Sequence, residues 1–398
     1  MKNILIADSS PSLDPVMAEV FEKLYFSGWS LFFWSSKDAL DGPFLEKLNG
    51  SRKKFFFGPR LGSGTKNFLF LILLPFLRFL FLLRLYLHSR ERPLKSLIVF
   101  GLREKLILSP AARWLGIQLV FAELPGHNFL KLSRMPFYKS FLKRYLKSSR
   151  LARVVSFSSA GRTDLLRAGV KDEMIRIVVP GIKSSAEDQT SLFQTLADKS
   201  NFHRKFFTVG TVVDLDKKQK TEILFQAIKE CSSAIPNLQL VIIGDGKERK
   251  NLSWIAKKLK IDNQVWFISP GGQPGPGAEP AGQAGEKINF PKKWLDSFEL
   301  YISVCEEPVL TDFSYVLKAM ANGVPVIAPA GLGFEDIIIQ NKTGCVIEMD
   351  LSEMLARQLI KLFQNLNLRA QLGQNARALV DRDFNLDKMA ENFIKALN

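Results

Sequence analysis

Residues 301–336 read YISVCEEPVLTDFSYVLKAMANGVPVIAPAGLGFED, and no other stretch limits the possible folds as strongly. Leu300 to Val304 is a buried strand by pattern. An amphipathic helix follows from about Asp312 to Asn322, and Gly323 and Pro325 stop it before a short apolar strand, Val326 to Ala328. Strand, helix and strand at this spacing form a crossover unit, which builds a parallel sheet covered by helices. A Gly331-Leu332-Gly333 turn then feeds a last short helix near Phe334. A helix N-terminus facing a loop, with a glycine turn into a second helix close behind, can present two sets of backbone N–H groups to one anion. The alternative is an ordinary crossover unit with glycine and proline as punctuation.

The same alternation runs through the rest of the chain. Strand patterns fall at Asn3–Ala7, Trp29–Trp34, Lys54–Phe57, Ser96–Phe100, Gln118–Phe121, Arg153–Ser156 and Arg176–Val179. Helical patterns separate most of them, among them Asp14–Tyr25, Lys105–Leu115, Tyr138–Lys147 and Ala160–Ala168. This is the α/β class with doubly wound parallel sheets. A length of 398 residues fits two domains. The first is expected over residues 1–183, a polar linker over 184–200, and the second domain over 201–398. The second opens with FFTVGTVVDLDKKQK and continues through LQLVIIGDGKERK, where Gly244 and Gly246 allow a tight turn at a strand end. Residues 270–285, rich in Gly, Pro and Ala, cannot build a core and read as a tolerated surface excursion, the alternative being a mobile loop near a cleft. Three helical patterns close the chain: Leu351–Phe363, Leu366–Leu379 and Leu386–Leu397.

A formal net charge of +16 points to an anionic ligand or surface: a nucleotide diphosphate, nucleic acid or an anionic membrane. No nucleic-acid motif accompanies the charge, so nucleic acid is not expected as a partner. Cys231, Cys305 and Cys345 are widely spaced and read as buried free thiols in a reducing compartment. The three histidines are equally scattered, so no His/Cys metal site is expected. The chain enters the strand NILIA at once, so no secretory signal is expected and the location reads as cytoplasmic.

From Phe68 to Leu87 only Arg78, Arg84 and Pro75 interrupt an apolar run of twenty residues. That length can span a bilayer. The run lies between two strands of one sheet, however, and a crossover helix must return to that sheet. A sheet-packing helix needs only about a 100° apolar stripe, which leaves an outer apolar face here. The segment is therefore expected to be a helix, kinked or broken near Pro75, docked on the sheet and entering an anionic membrane interface through residues 68–87. The alternative is burial within the domain or an oligomer.

The segment LKAMANGVPVIAPAGLGFEDII, followed by NKTGCVIE, resembles the donor-binding signature of the retaining GT-B glycosyltransferases of family 4. VVSFSS…VVPGIK and GTVVDLDKKQK resemble two further segments of that family. The resemblance implies two Rossmann-like domains facing across a cleft, and no metal. It implies no permanently bound cofactor but a nucleotide-diphosphate sugar, UDP- or GDP-linked, as donor substrate. Carried over position by position, Ala319, Met320, Gly323, Pro325 and Glu335 match the signature. Gly210, Thr211, Gly244, Gly246 and the start of the helix at Phe313 would supply the backbone of the donor pocket.

The family's four charged side chains are replaced. Asp214 stands for its Arg, Gln219 for its Lys, Leu310 for its first Glu and Lys318 for its second. Lys217, Lys218 and Lys220 keep positive charge beside Gln219, and Lys318 can return a cation to the diphosphate. Glu307, close to Leu310, can serve the donor sugar, and His127 can stand for a family histidine three residues earlier. The implied activity is a retaining glycosyltransferase that works at the cytoplasmic membrane face. Its acceptor would be lipid-linked or a cell-envelope glycan. The competing reading is an inactive GT-B protein that binds a membrane or a partner.

Overall fold

A computed structural model describes residues 3–7, 14–35, 53–57, 68–91, 93–124, 152–183, 206–215, 219–269, 295 and 297–397. His127, Lys217, Lys218, the 138–147 helical pattern, the 184–200 segment and the 270–285 segment lie outside them. The chain divides into two compact units. One comprises Met1–Pro180, Val309–Thr311 and Leu386–Asn398; the other comprises Gly181–Pro308 and Asp312–Asn385.

The first unit contains a seven-stranded sheet. Its strands are β1 (Asn3–Ala7), β2 (Ser30–Ser35), β3 (Lys53–Phe57), β4 (Ser96–Val99), β5 (Gln118–Glu123), β6 (Ala152–Ser156) and β7 (Ile175–Ile177). The order is β3-β2-β1-β4-β5-β6-β7 and every pairing is parallel. β1 and β4 are buried along their whole length, as strands covered by helices on both faces must be. The helix Pro15–Phe26 starts where Asp14 accepts the Val16 N–H at 2.9 Å and Pro15 presets the first turn. Its Phe21 packs edge-on against Phe33, Phe100 and Phe393. Phe393 comes from the closing helix Leu386–Leu397, whose Leu386, Met389 and Leu397 join the same apolar cluster.

The Phe68–Glu91 helix covers the other face of this sheet. It runs unbroken through Pro75, where the sequence suggests a kink or a break. Pro75 lies on the exposed side, near the start of the helix. The inward residues Phe81 and Leu85 are buried in the core with Leu97, Leu119 and Phe121. Arg78 donates from Nε to the Leu106 carbonyl at 3.1 Å, which pins the helix to its neighbour Leu102–Trp114.

The second unit holds a six-stranded parallel sheet in the order β10-β9-β8-β11-β12-β13. The strands are β8 (Phe207–Val212), β9 (Leu238–Ile243), β10 (Val265–Ile268), β11 (Leu300–Ile302), β12 (Val326–Pro329) and β13 (Cys345–Ile347). The helices Thr221–Cys231 and Ser352–Gln364 supply Leu224, Phe225, Ile228, Leu355 and Leu359 to its core. All three cysteines are free and buried. The helix after β11 is Leu310–Ala321, two residues earlier than its apolar period indicates. The helix expected near Phe334 is a single 3-10 turn, Phe334–Asp336.

Candidate functional site

The strand order of the second sheet reverses between β8 and β11. In an open parallel sheet the loops leaving the two strands at such a point separate in opposite directions and leave a crevice at the carboxyl edge, the usual place for a ligand. Here the two loops are tied together. The Lys220 N–H donates to the Val304 carbonyl at 2.9 Å, and the Glu306 N–H donates to the Gln219 carboxamide at 3.1 Å. Glu306 and Glu307 are exposed on the loop after β11, and Asp214 is exposed on the loop after β8. Lys220 extends along this edge to Asp350, with 2.6 Å between ammonium and carboxylate.

The loop after β9 lies beside them. A Cβ on Gly244 would stand 2.0 Å from the Val213 carbonyl oxygen, so only glycine allows the two strand ends to approach. Asp245 accepts the Gly246 N–H at 2.9 Å and the Ser269 hydroxyl at 3.3 Å. Arg249 donates to Ser269 at 2.6 Å and lies 3.8 Å from the Asp245 carboxylate. A cation is thereby held at the start of the helix Arg249–Lys258, behind the Gly244–Gly246 turn.

Behind the loop after β11, Ser303, Cys305 and Tyr301 form a buried polar layer. The Ser303 hydroxyl and Cys305 thiol are 3.3 Å apart. Burial first, and the Asp312 charge second, push both the Cys305 thiol and the Tyr301 hydroxyl well above their ordinary ranges. Both stay protonated at neutral pH, so Cys305 is no nucleophile. The Thr211 hydroxyl is fully buried with no hydrogen-bond partner among the described residues. It belongs to this interior layer and is closed to solvent.

The turn after β12 is closed on itself. Gly331 donates its N–H to Glu335 Oε1 at 2.5 Å, and Gly333 donates to Glu335 Oε2 at 3.1 Å. Both glycines have left-handed backbones, with φ of 76° and 94°. The N–H groups read from sequence as an anion cradle are thus occupied by the chain's own carboxylate. Phe313, fully buried, stacks on Phe334 with centroids 4.6 Å apart and joins the first turns of the Leu310–Ala321 helix to this turn.

Residues 193–273 and 314–379 match the model of the glycosyl transferases group 1 family. The crystal structure of HepE from Anabaena in complex with UDP superposes with a TM-score of 0.70 at 18% identity, covering 100% of this chain and 99% of that one. The fold is GT-B. An uncharacterized glycosyltransferase of Methanocaldococcus jannaschii is 23% identical over 246 residues, 61% of this chain and 57% of that protein. The lipopolysaccharide core biosynthesis glycosyltransferase LpsE of Rhizobium meliloti is 21% identical over 174 residues, 44% of this chain and 45% of its own length. The chain therefore spans about half the length of these curated relatives.

Within the GT-B fold the signature residues divide between the two edges of the second sheet. The Leu310–Ala321 helix runs back from the carboxyl edge, so Ala319, Met320, Gly323 and Pro325 sit at the opposite, amino edge. Ala319 and Met320 are fully buried; Gly323 ends the helix with φ of 68°, and its carbonyl would stand 2.0 Å from a Cβ on Gly373. The Pro325 carbonyl accepts the Tyr301 N–H at 3.0 Å. These four residues pack the unit. Gly210 has a packing role too. It lies inside β8, paired to Val241 and Tyr301, and a Cβ there would stand 2.1 Å from the Phe298 ring.

Leu310, at the family's first Glu position, is fully buried and apolar. Lys318 is half-buried in the last turn of its helix. Its ammonium leans back over the Tyr315 ring, 5.9 Å from the centroid, as helical side chains tilt toward the N-terminus. Gln219, Lys220, Asp214, Glu307, Gly244 and Gly246 are the residues gathered at the carboxyl edge. Asp350, Arg249 and Ser269 join them there without any signal in the sequence pattern.

Proposed function

We propose that the protein transfers a sugar, with retention, from a nucleoside-diphosphate donor, UDP- or GDP-linked, to an acceptor of cell-envelope glycan synthesis. The acceptor is lipid-linked or a growing glycan, and the work is done at the inner face of the cell membrane. The single observation that carries the reading is the switch point between β8 and β11. It binds the loops bearing Lys220, Gln219, Glu306 and Glu307 into one edge, in a fold whose UDP complex in Anabaena aligns along the full chain.

The chemistry follows from charge. As the bond to the sugar breaks, negative charge builds on the leaving diphosphate, and a fixed cation there stabilises the transition state more than the ground state. Lys220 and Arg249 are two of the described cations at this edge, Lys247 is exposed in the turn after Gly246, and Lys318 leans back over Tyr315. Glu306 and Glu307 are exposed carboxylates on the loop after β11, and Glu307 is the one we assign to the donor sugar hydroxyls.

The competing reading, an inactive protein, draws on two observations. Lys220 is already paired with Asp350, and Glu335 fills the glycine turn. The two readings separate when purified protein is incubated with UDP- and GDP-sugars and a detergent extract of lipid-linked acceptors. Release of the nucleoside diphosphate together with label in the lipid fraction supports transfer. Nucleotide binding without any release or label supports the inactive reading.

A further inference from the structure

The Phe68–Glu91 helix presents an apolar face to water. Among the described residues its buried positions are Phe81, Leu85 and His88. On the opposite side lie Phe76, Phe79, Leu80, Leu83 and Leu87: Phe76 is three and four residues from Phe79 and Leu80, these are four and three from Leu83, and Leu83 is four from Leu87, a single stripe along the helix. Phe76 and Phe79 are more than 60% exposed. A helix that only covers a sheet carries polar residues on its outer side; here the outer stripe is as apolar as the inner one. Trp114 of the neighbouring helix Leu102–Trp114 is 66% exposed, and its ring lies 6.0 Å from that of Tyr86. The patch is thus broader than one helix and carries an aromatic residue at its margin.

The border is basic. Arg84, Arg90 and Arg113 are exposed around the stripe, and the sequence of the Phe68–Glu91 helix contains a single acidic residue, its last, Glu91. Among the described residues no helix is long and apolar enough to cross a membrane. The Arg78–Leu106 hydrogen bond and the buried Phe81 hold this helix on the sheet. An apolar stripe fixed in place, rimmed by arginines, has the chemistry of a surface that enters the headgroup boundary of an anionic bilayer.

We propose that the outer stripe Phe76–Phe79–Leu80–Leu83–Leu87, with Trp114 at its edge, is the surface that docks this protein on an anionic lipid membrane. The inference names the surface behind the membrane location in the proposed function. Its test uses neither donor nor turnover, so it succeeds or fails separately from transfer. The full chain is floated with vesicles of phosphatidylcholine alone and with vesicles containing phosphatidylglycerol. Binding is expected to the anionic vesicles at low salt and to weaken as salt shortens the screening length.

Replacing Phe79 and Leu83 together by Glu should lower partitioning at least about tenfold while the thermal midpoint is kept. Should that variant fail to fold, the Phe79→Ser, Leu83→Ser pair serves in its place. A separate variant, Arg84→Gln with Arg90→Gln, should lose binding to anionic vesicles alone. The inference is overturned if the wild type stays with the soluble fraction at low salt, or if the apolar variants float as the wild type does. It is equally overturned if sedimentation shows a dimer that the same substitutions dissociate, because the stripe would then cover a second copy.

Discussion

The Lys220 ammonium lies 2.6 Å from the Asp350 carboxylate, a pair formed between residues 130 apart in the chain. Asp350 is largely exposed, so the pair is held in water and is weak. A bound diphosphate would compete with it for Lys220. Asp350→Asn should therefore tighten nucleoside-diphosphate binding, by the roughly 0.2–1 kcal/mol typical of an exposed pair. Lys220→Ala should weaken binding by about 1.5–3 kcal/mol. Calorimetric titration with UDP and GDP reads both.

Lys318 is the second charged position to test. It stands in the last turn of its helix beside Ala319, toward the amino edge, and its ammonium leans back by one turn over Tyr315. Lys318→Ala is expected to cost nucleotide affinity about 1.5–3 kcal/mol if the cation reaches the diphosphate. Lys318→Glu should cost more, and Asp214→Arg should recover part of that loss in a double-mutant cycle. Equal affinity in all variants would make Lys318 a residue of helix stability alone. In that case only the thermal midpoint would fall, through the loss of a cation in the last helical turn.

Gly210 is expected to act on folding. With the Phe298 ring 2.1 Å from where a Cβ would stand, Gly210→Ala forces the ring or the strand to move. The expected loss is about 1–3 kcal/mol in urea denaturation. A Gly210→Ala protein of full stability with abolished nucleotide binding would instead return the residue to the ligand site.

Alkaline pH should destabilise the second unit. Burial raises the Cys231 thiol to about 12 and also raises the Cys305 thiol and the Tyr301 hydroxyl. A group whose pKa is higher folded than unfolded stabilises fully below its unfolded value, and that stability is lost as pH rises toward the folded value. For the thiols the loss begins near pH ~8.5, at no more than about 1.4 kcal/mol per pH unit for each. The urea midpoint should hold between neutrality and that point and fall above it. Cys231→Ala with Cys305→Ala should flatten the fall; a wild-type midpoint that is level through the alkaline range contradicts the assignment.

The sheets were legible because their strands are continuous apolar runs: β1 and β4 are buried from end to end, as NILIA and SLIV suggest. The start of the Leu310–Ala321 helix was less so, since Leu310 is buried by tertiary packing and adds no visible period. The AMANGVP pattern was recognisable, yet its residues pack the amino edge of the sheet. A pattern tells that a fold repeats, without telling which of its residues face a ligand. The Lys220–Asp350 and Arg249–Ser269 contacts were hidden for a simpler reason. Lys220 and Asp350 precede the helices Thr221–Cys231 and Ser352–Gln364, which pack on each other, while Arg249 and Ser269 follow the neighbouring strands β9 and β10.

The central claim is a nucleoside-diphosphate site on the carboxyl edge of the second sheet. Its most direct measurement is thermal unfolding of the wild type and Lys220→Ala with increasing UDP and GDP. At a nucleotide concentration about 100 times its dissociation constant the wild type should gain roughly 2.7 kcal/mol. Lys220→Ala, at the same concentration, should gain clearly less. A wild type whose midpoint is unmoved by either nucleotide at millimolar concentration, or a Lys220→Ala protein stabilised as fully as the wild type, would contradict the account.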